Sequence, residues 1–301
     1  MANGYYSPMP ALRTLLNGLI DYAGLFPPAK LDLATAAAQY ASYRSGDERW
    51  ALGRFIIPAS RLTELGTILA SSHPPPDAAP WKLSTIAGAD FGIDLLTIDQ
   101  FNRNARGRAL VDTIELRPSG PASVASALKS TASRFETYVE IPAANDPAGV
   151  MEVVAQGGGR AKIRTGGVTA DDFPEPRQVL RFLRRCQDAG VSFKATAGLH
   201  HPLRGAHRLT YDPDSGCALM FGFLNVFLTA AFLEQGMADD EALALLEESS
   251  PGTLCFEDDA VLWRSHRLGD AELAQARRRA SAFGSCSFRE PMDDLRAMRL
   301  L

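Results

Sequence analysis

Two short segments place lysine where a buried strand would prefer an aliphatic side chain. They are Ala161-Lys162-Ile163-Arg164-Thr165-Gly166-Gly167 and Phe193-Lys194-Ala195-Thr196-Ala197-Gly198, and each reads as a strand ending in glycine. Strands alternate faces, so Lys162, Arg164 and Gly166 share one side of the first, and Lys194, Thr196 and Gly198 one side of the second. Buried cations are costly unless they are paired or used. Two lysines on neighbouring strands suit imine chemistry. A lysine must be neutral to attack a carbonyl, so its pKa has to fall well below the usual value of about 10.4. A second cation close by, together with partial desolvation, lowers it. On these grounds either lysine serves as nucleophile, with Glu140 or Glu115 moving protons.

The elements that must position these residues repeat as strand-then-helix units, the pattern of a parallel sheet. Strands are expected at 19–26, 54–58, 82–88, 111–117, 135–141, 161–167 and 193–198. Helices are expected at 33–43, 60–71, 93–104, 122–133, 147–156 and 175–189. Thr169 to Asp172 reads as a helix N-cap signature, and Gly190 as a helix stop. No G-x-G-x-x-G follows any strand, which weighs against a dinucleotide-binding sheet. The expected fold is a (β/α)8 TIM barrel forming one domain over residues 1–301. Residues 203–301 would form an elaborated last βα unit with extra helices and a hairpin over 253–267. The barrel's eighth strand is expected at 253–256, with 283–288 as the alternative. The stretch 73–80 reads as an exposed, proline-rich connection.

Function in a barrel gathers at the C-terminal strand ends. Glu115 and Arg117 share one face of the fourth strand, and Glu140 stands on the fifth. Lys162 and Arg164 come from the sixth and Lys194 from the seventh, with His200 and His201 just beyond. Asp21 joins from the first strand. So many ionisable groups at one mouth call for a polar ligand. The bland alternative is a structural layer in which the glutamates neutralise the cations.

The sixth and seventh segments resemble those of deoxyribose-phosphate aldolase and its class I aldolase relatives. That family carries a lysine before a Thr/Ser-Gly turn on strand six and a Lys-Ala-Ser/Thr-Gly-Gly run on strand seven. The resemblance spans some 40 residues and implies a Schiff base on Lys162, with Lys194 depressing its pKa. This chain departs from the pattern at Arg164, a third cation, and at His200-His201 after strand seven. A phosphate-binding turn has one candidate, Gly284-Ser285-Cys286-Ser287, which reads more simply as a loop of small residues. A carboxylate or other oxo-anion gripped by Arg164 and Arg117 therefore fits as well as a sugar phosphate or better. Thr165, Gly166, Gly167, Thr196, His200, His201, Asp21 and Asn225 complete the expected substrate-binding set.

Other readings are a metal-dependent lyase or hydrolase, with ligands from Glu115, Glu140, Asp21 and one histidine, and a barrel that binds an anionic metabolite without turning it over. No H-x-H or H-E-x-x-H spacing supports the former, and no metal or other cofactor is expected. A G-x-S-x-G elbow is absent as well.

Composition narrows the partners. Of 301 residues 46% are hydrophobic and 22% charged, and the net charge is −4, so nothing global favours nucleic acid or an anionic membrane. The four cysteines form no CxxC pair and read as reduced thiols of a cytoplasmic protein; the N-terminus shows no secretory signal. The apolar stretch 223–233 reads as a core helix, or else as a homo-oligomer interface. Arg277-Arg278-Arg279 reads as a solvated helix face, and 293–301 as a short amphipathic helix.

Overall fold

The computed structural model describes residues 9–72, 78–117 and 120–301. The N-terminal start, Pro118 and most of the 73–80 connection lie outside the described residues. A short helix, α1 (Pro10–Leu16), precedes the barrel. The barrel units then run β1 (Ile20–Tyr22), α2 (Leu33–Ser45), β2 (Leu52–Pro58), α3 (Leu62–Ser71), β3 (Trp81–Ile86), α4 (Phe91–Asn104), β4 (Ala109–Leu116), α5 (Pro121–Thr131), β5 (Glu136–Glu140), α6 (Ala148–Gln156), β6 (Arg160–Arg164), α7 (Pro176–Asp188) and β7 (Phe193–Thr196). Between Thr169 and α7 the cap signature serves only one 3-10 turn. Asp172 there accepts from the amides of Thr169 and Val168 at 2.9 and 3.0 Å.

After β7 the chain leaves the barrel. It forms a small hairpin, β8 (Gly205–Arg208) and β9 (Cys217–Met220). Helices α8 (Phe223–Glu234) and α9 (Asp239–Leu246) follow. Next come β10 (Leu254–Phe256), β11 (Ala260–Trp263) and β12 (His266–Gly269), an antiparallel three-stranded sheet rather than a plain hairpin. Helix α10 (Asp270–Arg279) returns the chain to β13 (Ala280–Ser285), and α11 (Arg289–Ala297) ends the last unit.

Eight parallel strands close in the order β1-β13-β7-β6-β5-β4-β3-β2. The eighth barrel strand is thus β13, which overlaps the alternative segment. The expected 253–256 strand is β10, which pairs only with β11. The reason is tertiary. Ala282, Phe283 and Gly284 fit between β7 and β1 because their side chains are small or aimed outward. A Cβ on Gly284 would come within 3.0 Å of Thr196 Oγ1 and 3.1 Å of Ile56 Cδ1.

Helix α8 is buried on nearly every side, including Phe223, Leu224, Val226, Phe227, Leu228, Ala231 and Phe232, and it packs against α9, α10, β12 and β13 of this same chain. That is the core-helix reading. Among the described residues no helix is long and apolar enough to cross a membrane. All four cysteines are free thiols. The arginine run is not uniformly solvated. Arg277 donates to the carbonyls of Ala280, Ser281 and Asn17 at the N-terminal end of the barrel.

Candidate active site

Strand register decides which charges meet. Glu140 pairs laterally with Lys162, and Lys162 with Lys194. Odd and even strands contribute alternate layers to a barrel interior, so Glu115 from β4 and Asp21 from β1 reach into the same region. The result is a chain of alternating charges. Lys194 Nζ lies 2.6 Å from Asp21 Oδ2 and 2.7 Å from Glu115 Oε1. Glu115 Oε2 lies 2.7 Å from Lys162 Nζ, which is 2.9 Å from Glu140 Oε2. Glu140 Oε1 in turn meets Arg117 Nε at 3.1 Å.

The two lysines differ in how they are held. Lys194 donates aligned hydrogen bonds to Asp21 and Glu115. It also stands over the Tyr138 ring, 5.4 Å from its centroid. Lys162 Nζ lies as close to Glu115 and Glu140, but at less favourable angles than those Lys194 makes with its two carboxylates. Burial by itself would push Lys194 down, but Asp21 and Glu115 outweigh it and hold the ammonium well above the ordinary lysine range. Burial would likewise raise Glu115, yet the Lys162 and Lys194 charges keep it far below the usual carboxylate range. The same opposition, burial against Lys162, Arg117 and Arg164, lowers Glu140. Ser84 adds a hydrogen bond to Glu115 Oε1 at 2.6 Å, and the backbone amide of Arg54 one to Asp21 Oδ1 at 2.7 Å.

Above this layer opens a cavity of 250 Å³ at the C-terminal mouth. Lys162, Glu115, Arg164, Arg117, Thr196 and His200 line it. Lys194 and Asp21 do not; both are fully buried. Larger grooves, 440 Å³ between α3 and α4 and 550 Å³ along α7 and α9, run over the outer helical ring away from the lysines. Among the described residues Arg164 makes one hydrogen bond, a long contact to Gly166 O at 3.4 Å, and it lines the cavity.

Several expected binding residues have other work. Asn225 is fully buried in α8, outside the cavity. It accepts from the Arg204 amide at 2.8 Å and donates to the carbonyls of Leu245 and Glu248 at 2.7 and 2.9 Å, which ties the β7–α8 loop to the end of α9. Thr165 is buried, and its hydroxyl donates to Ala197 O at 2.7 Å. Gly166 packs under Phe173, and a Cβ there would lie 2.9 Å from Gly198 Cα. Gly167 alone of the three faces the cavity. Nor do Asp21, Glu115 and Glu140 form a metal centre with a histidine, because lysines stand between the carboxylates; among the described residues they belong to no cluster with ligand spacing.

The two histidines part company. His200 Nδ1 faces Ser285 Oγ at 3.3 Å, Glu290 Oε2 at 3.3 Å and Cys286 Sγ at 3.9 Å. Burial opposes its charge, but Cys286 and Glu290 prevail and push its pKa up to about 10. His201 Nδ1 contacts Asp294 Oδ2 at 2.6 Å and stacks on His207, ring centroids 3.5 Å apart, beside a second cavity of 280 Å³. Glu290 and Tyr211 carry no recognisable spacing in the sequence, and Cys286 enters there as part of the 284–287 turn. The one available signal was the position of 286 at the end of a candidate last strand.

Together the fold and the mouth define a (β/α)8 barrel with a buried two-lysine, three-carboxylate layer under a cation-lined cavity. A solved structure titled "QR15, an Aldolase" is similar to this chain at a TM-score of 0.43 and 11% identity, covering 62% of this chain and 83% of that one. At that level the likeness carries no argument about chemistry. No protein-family model matches the sequence, and no curated protein matches it.

Proposed function

We propose that the chain is an aldolase-like enzyme that forms a Schiff base between Lys162 and a small carbonyl compound bearing a carboxylate or similar oxo-anion. The observation that carries this reading is the division between the lysines. Lys162 borders the cavity and is loosely aligned with its carboxylates, whereas Lys194 does not line it and is firmly bonded. The aldolase resemblance of the two strand segments implies the same division.

In this scheme Lys162 gives up its proton, its amine adds to the carbonyl carbon, and the carbinolamine loses water to leave an imine. Glu140, 2.9 Å from Lys162 Nζ, takes the proton from Lys162 and returns one to the departing hydroxyl. Lys194 remains charged and occupies Glu115 Oε1, which limits what Glu115 offers Lys162. The protonated imine then serves as the electron sink for breaking or forming the adjacent carbon–carbon bond. Arg164 and Arg117 hold the anionic end of the substrate.

Borohydride reduction in the presence of small 2-oxo acids and aldehydes, followed by peptide mass mapping, tests the proposal. A stable adduct on Lys162, absent from Lys162→Ala, is the expected result. An adduct only on surface lysines, or none with any carbonyl, overturns it.

A further inference from the structure

The proposed Schiff-base chemistry makes no use of the group formed by His200, Cys286 and Glu290. His200 lies in the loop after β7, Cys286 directly follows β13, and Glu290 is in the first turn of α11. Strands β7 and β13 are paired neighbours, so the three residues are fixed to one rigid part of the barrel rim. Their donor atoms, an imidazole nitrogen, a thiol sulfur and a carboxylate oxygen, lie within 4.8 Å of one another.

We propose that His200 Nδ1, Cys286 Sγ and a Glu290 carboxylate oxygen form a zinc-binding site at the mouth of the barrel. Zinc bonds of about 2.0–2.1 Å to nitrogen, 2.3 Å to sulfur and 2.0–2.2 Å to oxygen, set tetrahedrally, separate the donors by roughly 3.3–3.6 Å. The Nδ1–Oε2 separation is 3.3 Å and the Nδ1–Sγ separation 3.9 Å, and all three donors lie within 4.8 Å of one another, so side-chain movements of up to about an ångström bring them to zinc-binding distances. Mixed nitrogen, sulfur and oxygen donors select zinc over calcium or magnesium, which favour oxygen alone. Two acidic donors facing one imidazole also want positive charge at their centre.

The surroundings match a metal shell. Tyr211 donates its hydroxyl to Glu290 Oε2 at 3.0 Å and stands 3.4 Å from Cys286 Sγ, where it orients the carboxylate. His200 and Cys286 are 9% and 5% exposed, so two of the three donors are held within packed surroundings. Three protein ligands leave a fourth position free, the arrangement of catalytic rather than structural zinc. That position has room. His200 and Cys286 line the Lys162 cavity, and His200 and Glu290 line the adjoining one. Water or a ligand oxygen from either cavity can therefore complete the coordination. The site stands apart from the Schiff-base proposal, since none of its ligands touches Lys162.

The test is metal titration of the full chain after chelator treatment. Zinc should bind at one ion per chain, and cobalt in its place should give a near-ultraviolet thiolate-to-metal charge-transfer band. Cys286→Ser should abolish that band. His200→Ala and Glu290→Gln should each weaken zinc at least tenfold, while Lys162→Ala binds as the native chain does. Bound zinc should also protect Cys286, but not the exposed Cys217 and Cys255, from alkylation mapped by mass spectrometry. This last measurement needs no variant and so survives any folding defect. Binding well below one ion per chain, no charge-transfer band, or unprotected Cys286 overturns the site. Loss of imine trapping on Lys162 with zinc binding intact would sink the Schiff-base reading alone.

Discussion

Lys162 and Lys194 share one carboxylate. Glu115 spans them with its two oxygens, each 2.7 Å from a lysine nitrogen. Two cations adjacent across β6 and β7 are tolerable in the barrel interior because this single glutamate sits between them. Its removal should therefore cost more than that of either flanking acid. Glu115→Gln leaves two buried ammonium groups short of a counter-charge, and we expect a loss of about 3–5 kcal/mol in urea unfolding. Glu140→Gln, at the partly exposed end of the chain of charges, should cost less. Equal losses in the two variants would contradict the bridging role.

The lysines should separate in function. Lys162→Ala is expected to lower turnover by at least about 10³-fold, as loss of a covalent nucleophile does, and to lower the melting temperature as well, because Glu115 and Glu140 lose a buried partner. Lys194→Met should retain slow imine trapping on Lys162 but be the less stable variant, since Asp21 and Glu115 lose a buried partner. Steady-state kinetics paired with thermal unfolding reads both.

Acid should weaken the fold through Glu115 and Glu140. Both are held below their unfolded pKa of about 4.3, chiefly against burial and by the lysine charges. A depressed folded-state pKa gives stability that is present above the unfolded value and lost as pH falls through the folded one. Lys194 works the other way. Its raised pKa gives stability that is present below about 10.4 and lost as pH climbs past the folded value. Unfolding free energy should hence be level between about pH 5 and 10 as far as this layer is concerned. Urea titrations across pH should show the acid limb shrink in Glu115→Gln.

Arg164→Ala should raise KM for a carboxylate-bearing substrate by roughly 10–100-fold, the worth of one charge-assisted hydrogen bond, without lowering the melting temperature. Its contact to Gly166 is too long to matter for stability. Arg164→Lys should recover only part of the loss, since an ammonium cannot make the paired contact. An unchanged KM would place the substrate's anion elsewhere.

Gly166→Ala tests the close approach of the β6 and β7 ends. The added Cβ would lie 2.4 Å from the Phe173 ring and 2.9 Å from Gly198 Cα. Overpacking of this kind should cost about 1–3 kcal/mol, measurable by denaturant unfolding. No loss would mean that the loop yields freely.

Local pattern carried the barrel and its lysine layer into view. Alternation within β6 and β7 set Lys162 and Lys194 on inward faces, and a strand–helix rhythm repeated seven times leaves few architectures open. Such features depend on near neighbours, so they are written in the chain itself. Strand eight is different. A short run of small residues, Ala-Ser-Ala-Phe-Gly-Ser, looks like a loop until β1 and β7 supply its partners, while the more strand-like 253–256 finds its pairing outside the barrel. Asn225 and Thr165 show the same limit, because the backbone carbonyls they satisfy belong to distant segments. Amino-acid order alone thus determined which residues carry charge and toward which side of a strand they point. Only the tertiary structure decided which lysine borders the cavity, which does not, and that His200, Cys286 and Glu290 meet. Each of those outcomes depends on register and closure between strands far apart in the chain, and no local periodicity encodes that.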